Sequence, residues 1–355
     1  MGLDADLVSN GAVPNSENRA GVDWIPLYFV GLLLVALLLV VAAIGQEPVT
    51  ARDPAVTGTG TSLSPFTPAP TAVPQVEPTP APGSVAPNPG ATYPTTLPGG
   101  RSTVFGGNRV LVAYYGTAGT GSLGVLGEAS PERIMPRLTR AARPFAVGGR
   151  RVQPVFELIV TVAHASPTKT GTYSSDIDRA KVKRYIAAAH RHGVLVVLDL
   201  QPGKANFLTV AKRWEWALKD PYVGLALDPE WRMSRGGVPG RRIGSVSANE
   251  VNRVSRWLSA LTTREQLPQK VFLLHQFRTD MIRGITKVRD HRNLAEVQHV
   301  DGYGPPKAKL ATFHAVAQPR QFALGFKLFY DEDVPRMRPA QVLRIKPRVS
   351  FVSFQ

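Results

Sequence analysis

The sequence contains no cysteine. That absence excludes a disulfide framework, a zinc-thiolate centre, a cysteine nucleophile and the lipid-modified cysteine of a lipoprotein, and it does not conflict with an oxidising compartment. Histidine is sparse too. The seven histidines of the 355 residues form no i, i+4 pair, and His190 and His192, two apart in a helical stretch, fall on different faces, so no metal site is expected. The glycine-rich stretch 116–127 (GTAGTGSLGVLG) lacks a Walker lysine, and no acid closes the second strand for a ribose. It reads as a flexible loop, and no cofactor is expected. Bases are scarce at the start, where residues 1–100 hold Arg19 and Arg52 against seven acids. The rest of the chain then has 40 bases against 19 acids, an excess of +21 within a whole-chain charge of +16. A domain this basic attracts polyanions.

Charge vanishes altogether over residues 24–45 (WIPLYFVGLLLVALLLVVAAIG). At about 1.5 Å per residue such a run crosses a hydrocarbon core of roughly 30 Å, with Trp24 and Tyr28 suited to the interface. A cleaved signal peptide ending near Ala43-Ile44-Gly45 fits less well. Its apolar region is usually about 7 to 15 residues long, and net positive charge should precede it. Residues 1–23 read as a disordered cytoplasmic tail. Residues 46–103, rich in Pro, Thr and Ala, bury too little apolar area to offset their ordering entropy and read as a disordered linker of polyproline II character. The flanking arginines do not decide the orientation. The spacer does, placing residues 104–355 outside a single-pass membrane anchor.

From residue 104 the pattern becomes eight short β-branched runs, at 110–115, 154–162, 194–200, 223–227, 271–277, 297–303, 322–330 and 349–354. Helical stretches separate them, clearest at 175–192 and 247–261, each with an N-cap candidate, acids early and bases late. Trp214 and Trp216 lie in another such stretch and read as packing residues. Alternation of near-continuous apolar strands with helices indicates a parallel sheet buried on both faces. Eight strands in this length predict closure into a single (β/α)8 TIM-like barrel.

In such a barrel, function belongs at the C-terminal strand ends, and polar residues cluster there. The fourth run ends in Asp228-Pro229-Glu230-Trp231, where two carboxylates two residues apart share a face of an extended strand and a tryptophan adds a flat apolar surface. The third ends in Asp199 and Gln201, the fifth in His275 and Gln276, and the sixth in Asp301 and Tyr303. Lys327 and Asp331 follow in the seventh, and Tyr115 closes the first. Glu157 is either an inward carboxylate needing a partner such as Lys327 or an outward one. Two carboxylates in an aromatic-lined mouth suit glycosidic bond cleavage, one protonating the leaving oxygen and the other attacking or stabilising the sugar carbon.

Asp228-Pro229-Glu230 resembles the last part of the D-x-D-x-E motif of family 18 chitinases. The resemblance implies Glu230 as the acid, Asp228 as the carboxylate orienting a 2-acetamido group, and Asp301 with Tyr303 as helpers. Desolvation and the like charge of Asp228 should keep Glu230 protonated near neutral pH, with Asp228 ionised. Ala226 stands where that motif has its first Asp. Tyr115-Gly116-Thr117, Leu198-Asp199-Leu200-Gln201-Pro202-Gly203, Leu227-Asp228-Pro229-Glu230-Trp231 and Gly325-Phe326-Lys327-Leu328-Phe329-Tyr330 are similar to segments of secreted or membrane-anchored barrel domains of high-GC actinobacteria.

The expected activity is glycoside hydrolysis on cell-wall or capsule glycan. Glu230, Asp228 and Asp301 are the catalytic candidates, and Tyr115, Asp199, Gln201, Trp231, His275, Gln276, Tyr303, Lys327 and Asp331 bind substrate. Anionic wall polymer is a further candidate partner, and nucleic acid is not expected. The alternative is a barrel that has lost hydrolysis and binds wall polymer.

Overall fold

A computed structural model describes residues 95–355. The expected tail, membrane helix and most of the linker lie outside the described residues, among which no helix is long and apolar enough to cross a membrane.

Eight parallel strands form the centre: β1 (Arg109–Thr117), β2 (Arg151–Ala163), β3 (Leu195–Leu200), β4 (Val223–Leu227), β5 (Lys270–Gln276), β6 (Leu294–Val300), β7 (Ala323–Leu328) and β8 (Val349–Phe354). Each pairs with its neighbour in sequence, and β1 pairs with both β2 and β8, so the sheet closes. The described residues therefore form a closed parallel barrel of (β/α)8 TIM-like kind, with a 3-10 turn in place of a helix between β5 and β6. Only the sixth strand is displaced from its expected place, because the extended run begins at Leu294 and ends at Val300; Asp301 and Tyr303 follow it in a turn.

Helices cover the outside: α1 (Pro131–Ala142), α2 (Arg179–His192), α3 (Phe207–Arg213), α4 (Glu215–Leu218), α5 (Ala248–Arg264), α6 (Pro306–Val316) and α7 (Pro339–Val342). Their starts follow from local chemistry. Asp178 caps α2 by accepting from the Ala180 amide, and Ser247 caps α5 by accepting from Glu250, while Gly193 ends α2 in the left-handed conformation. Outward strand residues such as Val112, Phe156, Leu198, Leu225, Leu274 and Phe326 join helix residues in one buried layer. Inward residues Leu111, Ala113, Val155, Val197, Ala226, Leu273, Val297 and Phe351 fill the barrel.

Leu97 and Val104 plug the bottom of that interior, held by Arg101, which donates to Pro98 O, Val104 O and Gln153. Packed structure thus begins several residues before 104.

The glycine-rich loop after β1 is not open chain. A Cβ on Gly124, where φ is +132°, would lie 2.4 Å from Tyr115 O, and one on Gly127 would lie 2.0 Å from Thr120 O. These glycines let two backbone segments touch. Trp214 is core, its indole N–H donating to Thr161 Oγ1 at 3.1 Å.

Candidate functional site

Side chains alternate along a strand, so the position two residues beyond each inward apolar residue also points inward. In β1 that position is Tyr115, in β2 Glu157, in β3 Asp199, in β4 Asp228 at its very end, in β5 His275, in β6 His299, in β7 Lys327 and in β8 Ser353. All eight are buried. The apolar filling of the barrel is thus roofed, at the C-terminal end of the strands, by one polar layer.

His275 sits at its centre. Its Nδ1 lies 2.8 Å from Asp301 Oδ2, and its Nε2 lies 3.1 Å from Glu157 Oε1 and 4.0 Å from Asp199 Oδ1. Burial disfavours its charge, but Asp301, Glu157 and Asp199 overcome that and hold the imidazolium well above the usual histidine range. Tyr115 donates to Asp199 Oδ2 at 2.8 Å, and Lys327 Nζ stands 3.4 Å from the centre of the Tyr115 ring. Gln201 bridges outward, donating to Tyr115 Oη at 3.4 Å while accepting from the Ala163 amide. Glu157 is therefore inward, and its close partner is His275 rather than Lys327.

The carboxylates differ by environment. Burial, with the charge of Glu157 adding, raises Asp199 to about 6 against the pull of His275. Burial also lifts Asp228 well above the carboxylate range, helped by Asp199, Glu230 and Asp301. The charge of His275 pulls the other way but burial wins, so the ionised form of Asp228 is disfavoured, against the expectation that it stays ionised. Its Oδ1 accepts from the Glu230 amide at 3.2 Å, capping a 3-10 turn over Pro229–Trp231, so Glu230 sits on a turn rather than on the strand. Glu230 keeps part of its side chain at the surface, yet desolvation and Asp301 push it up to about 7. Asp301 goes the other way. Burial opposes its charge, but the ion pair and hydrogen bond to His275, with Lys327, hold it below the usual range.

Two candidates fall outside this group. Gln276 follows His275 directly, so alternation turns it to the outer face, where it accepts from Gln298 and donates to Arg278 O. Asp331 is exposed on the turn after β7; the buried acid there is Asp333, paired with Lys309 at 3.0 Å. Trp231 and Tyr303 flank the mouth half-buried, Tyr303 edge-on to Phe329 at 5.9 Å.

His299 and Ser353 went unnoticed in the sequence. His299 Nε2 meets Ser353 Oγ at 2.7 Å, and burial with the neighbouring His275 charge keeps its ring neutral. The available signal was phase: His299 lies two before Asp301 and pairs in register with His275. Glu157, His275 and His299 bring donor atoms within 4.8 Å of one another, the nearest approach to a metal-ligand set among the described residues. Glu157 and His275 are at the same time an ion pair, at 3.1 Å.

Barrel and polar roof together define a (β/α)8 TIM-like fold with a cluster of acidic and basic side chains at the C-terminal end of its strands. No protein-family model and no curated protein matches the sequence.

Proposed function

We propose that the barrel hydrolyses glycosidic bonds of a cell-wall or capsule glycan, tethered outside the cell by residues 24–45. One observation carries the reading: two neighbouring carboxyls are driven apart, Glu230 up to about 7 and Asp301 below its usual range. Such a split assigns acid and base roles near neutral pH. Glu230, on the accessible turn, protonates the leaving glycosidic oxygen. Asp301, kept ionised by His275, supplies the negative charge that stabilises the sugar cation or activates the incoming water. Asp228, held protonated, donates a hydrogen bond to substrate, and Trp231 offers a ring face.

Ala226 does not leave the mouth short of carboxylates. Asp199 is its partner in register on the adjacent strand, and its charge reaches Asp228. This favours hydrolysis over mere binding, since five acidic side chains converge where an apolar floor would serve a binder.

The test is reducing-end release from wall glycan fractions by the wild-type chain and by Glu230→Gln. Turnover should fall by roughly 10²-fold or more while glycan affinity stays within about twofold. Equal cleavage by both proteins would remove Glu230 from the mechanism, and binding without any release by wild type would favour the polymer-binding alternative.

A further inference from the structure

Away from the mouth, on the outside of the barrel, a cleft of about 240 Å³ opens between β1, α1 and the turn after β7. Tyr114, Arg137, Arg140, Ala141 and Tyr330 line it. Local sequence explains its charge. Ile134, Leu138 and Ala142 bury one face of α1 against the barrel, which leaves Arg133, Arg137 and Arg140, at i, i+4 and i+7, on a shared exposed stripe. Arg137 has Glu128 as its carboxylate partner, whereas Arg140 has no ion pair among the described residues.

The floor is aromatic. Tyr330 stacks on Phe354 at 5.6 Å and meets Tyr114 edge-on at 6.4 Å, while the Arg336 guanidinium stands 4.4 Å from the Tyr330 ring centre. Tyr114 donates its hydroxyl to Arg137 O at 3.2 Å. With that proton committed, Tyr330 is the donor in the contact between the two hydroxyls, also 3.2 Å. Two guanidiniums, Arg137 and Arg140, therefore line a space roomy enough for an anionic group and its neighbours, with Glu128 as the opposing charge beside Arg137.

We propose that this cleft binds a phosphate group carried in a phosphodiester-linked polymer. The two guanidinium forks of Arg137 and Arg140 offer more donors than the two oxygens of a carboxylate can use, and a phosphate's oxygens take them up. A polymer fits better than a free ion because the arginine stripe continues along α1 past the cleft to Arg133. The site is independent of the Glu230 chemistry. It would hold the domain on a phosphate-bearing matrix while the mouth works elsewhere.

The experiment titrates the full-length chain with a glycerol-phosphate oligomer, with inorganic phosphate and with polyglutamate. The variants are Arg137→Ala/Arg140→Ala and a charge-matched control on α5, Arg253→Ala/Arg256→Ala. The cleft pair should weaken oligomer binding about tenfold or more and the control pair less than twofold, because a charge-assisted contact in a formed site is worth more than a diffuse surface charge. Arg140→Glu, a single change at an exposed residue without an ion pair, should give the same loss, and covers the event that the double variant folds poorly. Glu230→Gln should bind the oligomer like wild type. Equal losses for cleft and control pairs would overturn the site, as would unaltered binding by Arg140→Glu. Polyglutamate binding as tightly as the oligomer would overturn the phosphate assignment. Inorganic phosphate matching the oligomer would overturn the polymer assignment.

Discussion

The lower and upper halves of the barrel interior are built from the same eight strands, yet they are opposite in chemistry. Below, Ala113, Val155, Val197, Leu273, Val297 and Phe351 make a dry filling. Two residues further along the same strands stand Tyr115, Glu157, Asp199, His275, His299 and Ser353, equally buried. Burying apolar side chains needs no partners. Burying charges costs several kcal/mol apiece unless each finds an opposite charge or changes protonation. The upper layer uses both remedies: Asp301 and His275 pair, whereas Asp228 and Glu230 are pushed towards their neutral forms. Half of the interior is thus organised for stability. The other half accepts an energetic cost, which the proposed chemistry at the mouth would explain.

The comparison breaks most visibly through a cavity below. Leu273→Ala, at a side chain fully buried in the filling, should destabilise the fold by about 3 kcal/mol or more, measured by urea unfolding, and leave the pH dependence of turnover unchanged. Above, the balance should reverse. Asp301→Asn should lower turnover by roughly 100-fold, about 2.7 kcal/mol of transition-state stabilisation, and drop the His275 pKa as followed by NMR. A protein whose turnover survived Asp301→Asn would place the ionised partner elsewhere in the layer.

Proton linkage sharpens the contrast further. Turnover that needs protonated Glu230 should decline as pH rises through about 7. Stability should follow the same sign. Because its folded pKa lies above the usual 4.5, the folded state holds this proton more tightly than the unfolded one, so its contribution is full below that value and is lost as pH rises through about 7. Glu230→Gln should therefore gain stability over wild type across that window and keep a constant advantage beyond it, seen as a melting temperature a few degrees higher at pH 8 but not at pH 4. Asp301 has the opposite sign: its lowered pKa gives stability that is present above the usual carboxylate value and lost on acidification through its folded pKa. The smallest effect belongs to Ser353→Ala, which removes the hydroxyl facing His299 and should cost about 1 kcal/mol in urea unfolding.

Much of this was legible without coordinates, and the reason is periodicity. Eight β-branched runs separated by capped amphipathic helices leave few arrangements other than a closed parallel barrel, since each strand must be covered on both faces. Asp199, Asp228, His275 and Lys327 could be picked out because strand ends are where a barrel's chemistry is exposed. Phase was the weak point. Gln276 adjoins His275 in sequence, yet neighbours on a strand face opposite ways, and His299 lies inside a sixth strand that ends three residues before the expected run does.

The sequence by itself determined the barrel, its length and the row of polar residues at the C-terminal strand ends, because these follow from local pattern summed over many residues. Only the tertiary structure decided which of those groups hold a charge. Whether Asp228 or Asp301 is the ionised partner depends on His275 lying 2.8 Å from one and not the other. A protonation state is set by distances between side chains that are remote in sequence and share one buried layer, and no local pattern encodes those distances.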